Sequence, residues 1–125
     1  MAWSTARREN PYINILRDRS GAVLKVLQAR EHEFVPADLS EGESDTGLFA
    51  FRTSALRQVL DRSVRESLGV GAVTREQNLL PLLPLFEHHA GGIVTVSATD
   101  DEAQGINTPA EAERVAAILH ARMNA

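Results

Sequence analysis

The segment GGIVTVSATDDEAQGINTPAE, residues 91–111, decides the fold class of this chain. Within it, residues 93–97 (IVTVS) are rich in β-branched side chains and predict a strand. Residues 108–111 (TPAE) combine an N-cap threonine, a proline at the first helical position and a glutamate at the third. They predict a helix that runs to about Ala121. A strand, a polar loop and a helix in this order are typical of an α/β fold.

Further strands are predicted upstream. Residues 13–17 and 22–29 are apolar segments joined by the turn residues 17–21, which predicts a β-hairpin. Residues 46–51 (TGLFAF) are mostly apolar, as expected of a strand buried on both faces of a parallel or mixed sheet. No strand is predicted within residues 1–10.

Two helices are predicted between residues 53 and 89. The first has Thr53 as its N-cap, and Gly69 and Gly71 end it. The second opens at residues 74–77 (TREQ), which have the spacing of a capping box, and reaches about His89. Together with the strands, these helices predict an α/β fold with a partial, mixed, Rossmann-like sheet, flanking helices and a β-hairpin.

Length and composition limit the function classes. The chain has 125 residues and no cysteine, so it forms at most one compact domain without disulfides, thiolate catalysis or cysteine-bound zinc. Its longest apolar run, residues 79–86, is too short to span a bilayer, and residues 1–10 have no apolar core of a secretory signal. We therefore expect no membrane association and a cytoplasmic location.

Charge is distributed unevenly along the chain. Residues 1–30 carry six basic and two acidic side chains, whereas residues 31–45 carry six acidic and no basic ones. The acidic stretch 31–43 predicts a surface loop. The basic opening segment can attract phosphates, and a nucleic-acid binder using its arginines is the weakest candidate, because aromatic residues are not interleaved with them.

Most sequence signatures of enzymes are missing. The chain has no P-loop, no dinucleotide-binding glycine pattern after a strand, and no nucleophile elbow. His88 and His89 are adjacent and point to different helix faces, so they cannot form a metal pair at helical spacing. The acidic run 100–102 has the composition of a solvated surface loop.

The polar segment 104–111 (QGINTPAE) places Asn107 between a strand and the N-terminus of a helix. A carboxamide at that place can offer a neutral oxygen to Mg²⁺, and the helix N-terminus favours an anionic phosphate. Helix capping explains the same residues equally well. The residues alone leave both interpretations open.

Four short motifs, taken in order, resemble the catalytic domain of sugar-phosphate nucleotidyltransferases. Residues 105–107 (GIN) and the capped helix after them resemble the Gly-Val-Asn segment that closes this domain. Upstream, residues 11–21 resemble the family's Gly-Tyr-Gly-Arg-Ile strand and turn, residues 26–31 its Ile-Val-Glu-x-Lys-Asp strand end, and residues 44–51 its Asn-Thr-Gly-Ile strand. The resemblance is greatest to the uridylyltransferase domain of the bifunctional uridylyltransferase/acetyltransferases.

The resemblance implies a function. This family transfers a nucleotidyl group from a nucleoside triphosphate to a sugar 1-phosphate and releases pyrophosphate, with Mg²⁺ as cofactor. It implies that Asn107 is a metal ligand. It also implies that the acceptor sugar is contacted by residues at four positions, Gln28, Asp45, Thr46 and Gly47. Residues 1–10 would then be an N-terminal extension, and residues 11–125 the C-terminal, sugar-side half of the domain.

The chain also departs from the family. Gln28 and Asp45 stand where the family has Glu and Asn, which changes the hydrogen-bonding character of both positions. The Gly-rich triphosphate loop, with its Arg and Lys, and the metal-binding Asp have no counterpart. Whether the chain is an enzyme by itself therefore stays open. The resemblance implies two kinds of partner, a sugar phosphate or nucleotide-sugar as ligand and a missing nucleotide-binding half as protein partner. The alternative is a non-catalytic α/β interaction module that forms a homodimer.

Overall fold

The structure is a computed structural model that describes residues 1–9, 11–31 and 41–124. The strands are β1 (Ala2–Glu9), β2 (Ile13–Arg17), β3 (Val23–Gln28), β4 (Glu41–Ala50) and β5 (Val94–Ser97). The helices are α1 (Thr53–Glu66), α2 (Pro109–Met123), a short 3-10 helix (Ala29–Glu31) and a long 3-10 helix (Leu80–His88).

The strands form two separate sheets. β4, β1 and β5 make a three-stranded sheet in that order, and β2 and β3 make a two-stranded hairpin. β1 runs antiparallel to β4 and parallel to β5, so the larger sheet is mixed. The predicted α/β fold with a mixed sheet, helices and a β-hairpin is confirmed.

The central strand of the larger sheet was not predicted. β1 occupies residues 2–9, where the sequence analysis expected no strand, and that expectation is wrong. Its alanine, serine and arginine side chains give a weak β pattern, but β4 and β5 pair with its backbone on both sides. Trp3 anchors this strand and is fully buried.

One aromatic stack connects the larger sheet to the long 3-10 helix. The ring centroids of Trp3 and Phe49 lie 5.7 Å apart, those of Phe49 and Phe51 5.8 Å, and those of Phe51 and Phe86 5.1 Å. Such spacings are typical of favourable aromatic pairs. The other buried members of this core are Ile15, Val23, Val26, Val59, Leu82 and Leu83.

The predicted strand 46–51 differs from the observed one in length and environment. β4 begins at Glu41, so residues 41–43 belong to a strand and not to the predicted acidic loop, while residues 32–40 of that loop lie outside the described residues. β4 lies at an edge of its sheet, and Leu48 is 69% exposed. The prediction that this strand is buried on both faces is therefore wrong.

Two helix predictions also need correction. The N-cap position of α1 is Arg52 and not Thr53, and no side chain caps this helix. The predicted helix opening at residues 74–77 does not form there: Arg75 has a φ of +60°, which a right-handed helix does not contain, and the Thr74 hydroxyl donates to Glu31 Oε1 (2.6 Å). A 3-10 helix begins only at Leu80 and contains two prolines, which disfavour a regular α-helix.

The prediction for α2 is confirmed. Thr108 is its N-cap, and the backbone N–H of Glu111 donates to the Thr108 hydroxyl (3.3 Å). In return the backbone N–H of Thr108 donates to Glu111 Oε2 (2.8 Å), which completes the capping box. No residue of α2 is buried, so local capping contributes most of what defines where this helix begins.

Candidate functional site

The carboxyl ends of the parallel strands β1 and β5 lie at the same edge of the sheet. Thr5 of β1 pairs with Asp45 on one side and with Ser97 on the other. Immediately after β5, the backbone N–H of Ala98 donates to the Thr5 carbonyl (2.7 Å), so the following loop leaves the sheet beside β1. In open α/β sheets, ligands bind at this edge, beyond the carboxyl ends of the strands.

A polar cleft of about 410 Å³ lies at this edge, and we call it the strand-end cleft. The residues that line it are Arg7, Arg8, Glu9, Glu41, Asp100 and Gln104. Two basic residues, three acidic residues and one carboxamide residue therefore border this cleft. The Gln104 amide donates to the carbonyl of Asp100 (3.0 Å), which ties it to the loop after β5.

The two arginines are the cationic groups of this cleft. Within residues 1–9, 11–31 and 41–124, neither Arg7 nor Arg8 forms an ion pair. The charge of Arg7 nevertheless acts on Glu43, which lies opposite it on β4. Guanidinium groups without a fixed partner are suited to bind carboxylate or phosphate oxygens.

Glu43 joins the sheet to the hairpin. Arg17 of β2 binds it through two hydrogen bonds, Nε to Oε2 (2.6 Å) and a terminal nitrogen to Oε1 (2.7 Å). Burial raises the pKa of Glu43, but the bond from Arg17 and the nearby positive charges outweigh this, and the net pKa is lowered. The same hydrogen bond raises the pKa of Arg17, so both groups remain charged.

The predicted sugar-contacting segment 45–47 forms a bulge in β4. The pairing with β1 shifts between Trp3 and Thr5, which leaves Thr46 and Gly47 without partners in the ladder. Asp45 Oδ1 accepts from the Trp3 indole N–H (2.8 Å) and from the backbone N–H of Gly47 (2.7 Å). The Thr46 hydroxyl donates to the Ser4 carbonyl (3.0 Å).

This bulge explains why a glycine occupies its third position. Gly47 has a φ of +80°, a backbone conformation that side-chain-bearing residues rarely adopt. Bulges of this kind occur often beside functional sites, because they redirect side chains at the end of a strand. Here two residue pairs of the β1–β4 ladder, Thr5 with Asp45 and Ala6 with Ser44, separate the bulge from Arg7 of the strand-end cleft.

Gln28 lies in the other sheet and is buried. It ends β3, is 2% exposed, and its Oε1 accepts from the Asn78 side chain (2.7 Å). Asn78 Oδ1 in turn accepts from the backbone N–H of Leu80 (3.1 Å). Sequence reasoning missed Asn78, because a lone asparagine before an apolar run indicates only a turn or cap.

Asn107 is exposed at the N-terminus of α2. Its backbone N–H donates to Glu111 Oε2 (2.7 Å), and this bond, followed by the bonds from Thr108, lowers the pKa of Glu111. The strand-end cleft is lined by none of the five predicted site residues, although Gln104, from the same polar segment as Asn107, does line it. The structure therefore does not gather the predicted residues in this cleft.

The described residues do not form a complete metal site. No group of three His, Cys, Asp or Glu side chains in residues 1–9, 11–31 and 41–124 is arranged to hold a metal ion. Asn107 offers one neutral oxygen, and Oε2 of the nearby Glu111 accepts from two backbone N–H groups. Mg²⁺ prefers six oxygen ligands, so Asn107 fits only as one ligand of a site that other groups complete.

Comparison with known proteins shows a distant similarity. No protein-family model matches the chain. It is 28% identical over 123 residues to the Bifunctional protein GlmU of Pelobacter propionicus, covering 96% of this chain and 25% of that protein. Against the Bifunctional protein GlmU of Clostridium novyi it is 26% identical over 122 residues, with the same coverage of 96% and 25%.

The chain spans about a quarter of the length of these curated relatives. The similarity extends over nearly all of this chain. It supports a relation to nucleotidyltransferases. Among the described residues, no helix is long and apolar enough to cross a membrane.

Proposed function

We propose that this chain is the acceptor-side part of a nucleotidyltransferase-related domain and binds a sugar 1-phosphate in the strand-end cleft. The observation that carries the proposal is the position of this cleft at the carboxyl ends of the parallel strands, with Gln104 in its lining. The distant similarity to GlmU supports the same class of activity.

In this proposal Arg7 and Arg8 bind the phosphate of the acceptor, and Gln104 and the carboxylates bind sugar hydroxyls. Guanidinium groups bind phosphate through charge-assisted hydrogen bonds, whereas carboxylates accept from hydroxyls. The carboxylates weaken the attraction for a dianion, so the cleft is suited to a ligand with both a phosphate and several hydroxyl donors. The bulge at Asp45 maintains the strand geometry that leads to this cleft.

Bound Mg²⁺ would neutralise charge on the phosphates of the two substrates. Asn107 would hold it through its side-chain oxygen, together with ligands from the nucleotide-binding half that the resemblance implies. The remaining work of this chain is to bind and orient the acceptor, because alignment of two anionic substrates is a large part of such catalysis.

The test is complementation. The chain is mixed with a separately produced nucleotide-binding half of the nucleotidyltransferase domain of the Pelobacter propionicus relative, and pyrophosphate release is measured with several sugar 1-phosphates. We expect release only when both parts are present, and expect Arg7→Gln/Arg8→Gln to reduce it. Inactivity of the mixture with every nucleoside triphosphate and sugar phosphate, despite association of the two parts, would contradict the proposal.

A second candidate is the non-catalytic interaction module, and the outer face of the three-stranded sheet favours it. Val94 and Val96 of β5 are each 59% exposed, and Leu48 of β4 is 69% exposed. The sheet register places Ala2 beside Val94 and Ser4 beside Val96, so small side chains lie between these larger ones. An exposed apolar surface of this kind is typical of an interface.

Two substitutions distinguish the two candidates. Arg7→Gln removes a cation from the cleft without changing the outer sheet face. Under the acceptor-side proposal it weakens binding of sugar 1-phosphate, measured by titration calorimetry, and leaves association unchanged. Under the interaction-module proposal no sugar phosphate binds to either protein, and Val96→Asp alone reduces association.

A further inference from the structure

A second groove lies between α1 and the long 3-10 helix. Its volume is about 330 Å³, and it shares no lining residue with the strand-end cleft. Val59, which is 1% exposed, and Leu85 form its apolar floor. This volume lies at the lower end of the range found for small-molecule sites.

Basic side chains from both helices line this groove. α1 contributes Arg62 and Arg65, and the 3-10 helix with its C-cap contributes His88 and His89. The lining contains one carboxylate, that of Asp61. With neutral histidines these five side chains sum to a formal charge of +1, and with both histidines protonated they sum to +3.

The arginines are available to a ligand. Arg62 Nε lies 3.0 Å from Glu66 Oε2, but both side chains are about half exposed, at 48% and 46%. Exposed ion pairs of this kind contribute little stability, so a ligand can displace Glu66 at small cost. Arg65 forms no ion pair with any residue that the structure describes.

The histidines are held by the fold. The ring centroids of His89 and Phe86 lie 6.1 Å apart, and Phe86 is 1% exposed. The backbone N–H of His89 also donates to the Phe86 carbonyl (3.1 Å). His88 is the last residue of the 3-10 helix and His89 its C-cap, in an extended conformation. Both therefore border the groove, although the sequence predicted that they point to different faces of one helix.

We infer that this groove binds the phosphate group of a small organic phosphate, separately from the strand-end cleft. Guanidinium and imidazolium groups donate charge-assisted hydrogen bonds to phosphate oxygens, and the apolar floor contacts the organic part. The groove's volume of about 330 Å³ favours a small molecule over an acidic peptide, which would need a longer groove.

The test is a nuclear magnetic resonance titration of the full chain with inorganic phosphate and with phenyl phosphate. It is made at pH 6.0 and at constant ionic strength. We expect saturable shifts of the His88 and His89 imidazole signals, and tighter binding of phenyl phosphate because its ring contacts Val59 and Leu85.

Substitutions then locate the site. Arg65→Gln/His88→Gln is expected to weaken phenyl phosphate binding about tenfold or more, because charged hydrogen bonds are lost. Asp61→Asn is expected to tighten it, and Arg114→Gln, an exposed arginine of α2 that lines neither cavity, to leave it unchanged. Equal affinity in the Arg65→Gln/His88→Gln and unsubstituted proteins, no change with Asp61→Asn, or shifts that do not saturate would overturn the inference.

Discussion

The carboxylate of Asp45 illustrates how one side chain connects the core to the candidate site. Its Oδ1 binds the indole of the fully buried Trp3 and the backbone of Gly47 in the bulge. The resemblance assigned this position to sugar contact, and the structure gives it a structural contact as well. The structural contact predicts how two substitutions at this position change stability.

Asp45→Ala is expected to destabilise the chain by about 1–3 kcal/mol, because the buried Trp3 N–H loses its acceptor. Asp45→Asn keeps a side-chain oxygen at this place, so its loss is expected to be clearly smaller. Urea unfolding of the two variants measures the difference. Equal stability of Asp45→Ala and the unsubstituted protein would show that the Trp3 bond contributes nothing.

Glu31 is expected to make stability depend on acid pH. It is 7% exposed and accepts from the backbone N–H of Val73 (2.8 Å) and from the Thr74 hydroxyl (2.6 Å). The Thr74 bond first, and then that from Val73, lower its pKa from the ordinary value of 4.5. A carboxyl group whose pKa is lower in the folded than in the unfolded state stabilises the fold at pH values above its unfolded-state pKa. This stabilisation is lost as the pH falls through the folded-state pKa.

The measurement is the urea midpoint of the unsubstituted protein and of Glu31→Gln between pH 7 and pH 3. We expect Glu31→Gln to be less stable at pH 7, and the gap between the two proteins to narrow below about pH 4.5. Glu113→Gln, on the exposed part of α2, is the matched control and should not change the profile. A gap that stays constant with pH would contradict this role for Glu31.

At the scale of elements, the hairpin is fastened to the larger sheet by the Arg17–Glu43 pair. Both side chains are largely buried, at 24% and 21% exposure, and bidentate geometry makes the pair stronger than an exposed one. We expect Arg17→Ala and Glu43→Ala each to destabilise by about 1–3 kcal/mol and to be non-additive when combined. A double-mutant cycle by urea unfolding measures this coupling, and strictly additive losses would refute it.

The capping box of α2 provides a second prediction for an element. Thr108→Ala is expected to weaken the first turn of the helix by about 1 kcal/mol. Because no α2 residue is buried, this loss should increase amide hydrogen exchange at residues 110–112 without lowering the global stability. Glu113→Ala in the same helix is the control. A fall in the urea midpoint without local exchange would show that α2 is coupled to the core.

The elements that depend on neighbouring residues were predictable from the sequence, and the strand that depends on distant partners was not. The hairpin and α2 were predictable because turn residues and a capping box act over a few neighbours. β1 was not, since its place at the centre of the sheet depends on partners about 40 and 90 residues away. The strand-end cleft was missed together with β1. Arg7 and Arg8 lie near the carboxyl end of that strand and come close to Gln104 only in the folded chain.

At the scale of the whole molecule, the sheet has an uncovered outer face. Leu48, Val94 and Val96 are exposed there, and exposed apolar patches of this kind often mark an association surface. We therefore expect the isolated chain to self-associate, as proposed from the sequence, and Val94→Lys/Val96→Lys to reduce this. Light scattering over a hundredfold range of concentration measures it, and a monomer throughout would contradict the expectation.

The central claim is that the cleft at the carboxyl ends of β1 and β5 binds a sugar 1-phosphate. The most direct measurement is a nuclear magnetic resonance titration of the chain with glucose 1-phosphate and N-acetylglucosamine 1-phosphate, with Arg7→Gln/Arg8→Gln as the matched variant. The proposal predicts saturable shifts at Arg7, Arg8, Asp100 and Gln104 that the variant loses. Shifts confined to other parts of the chain, or none with either sugar phosphate, would contradict it.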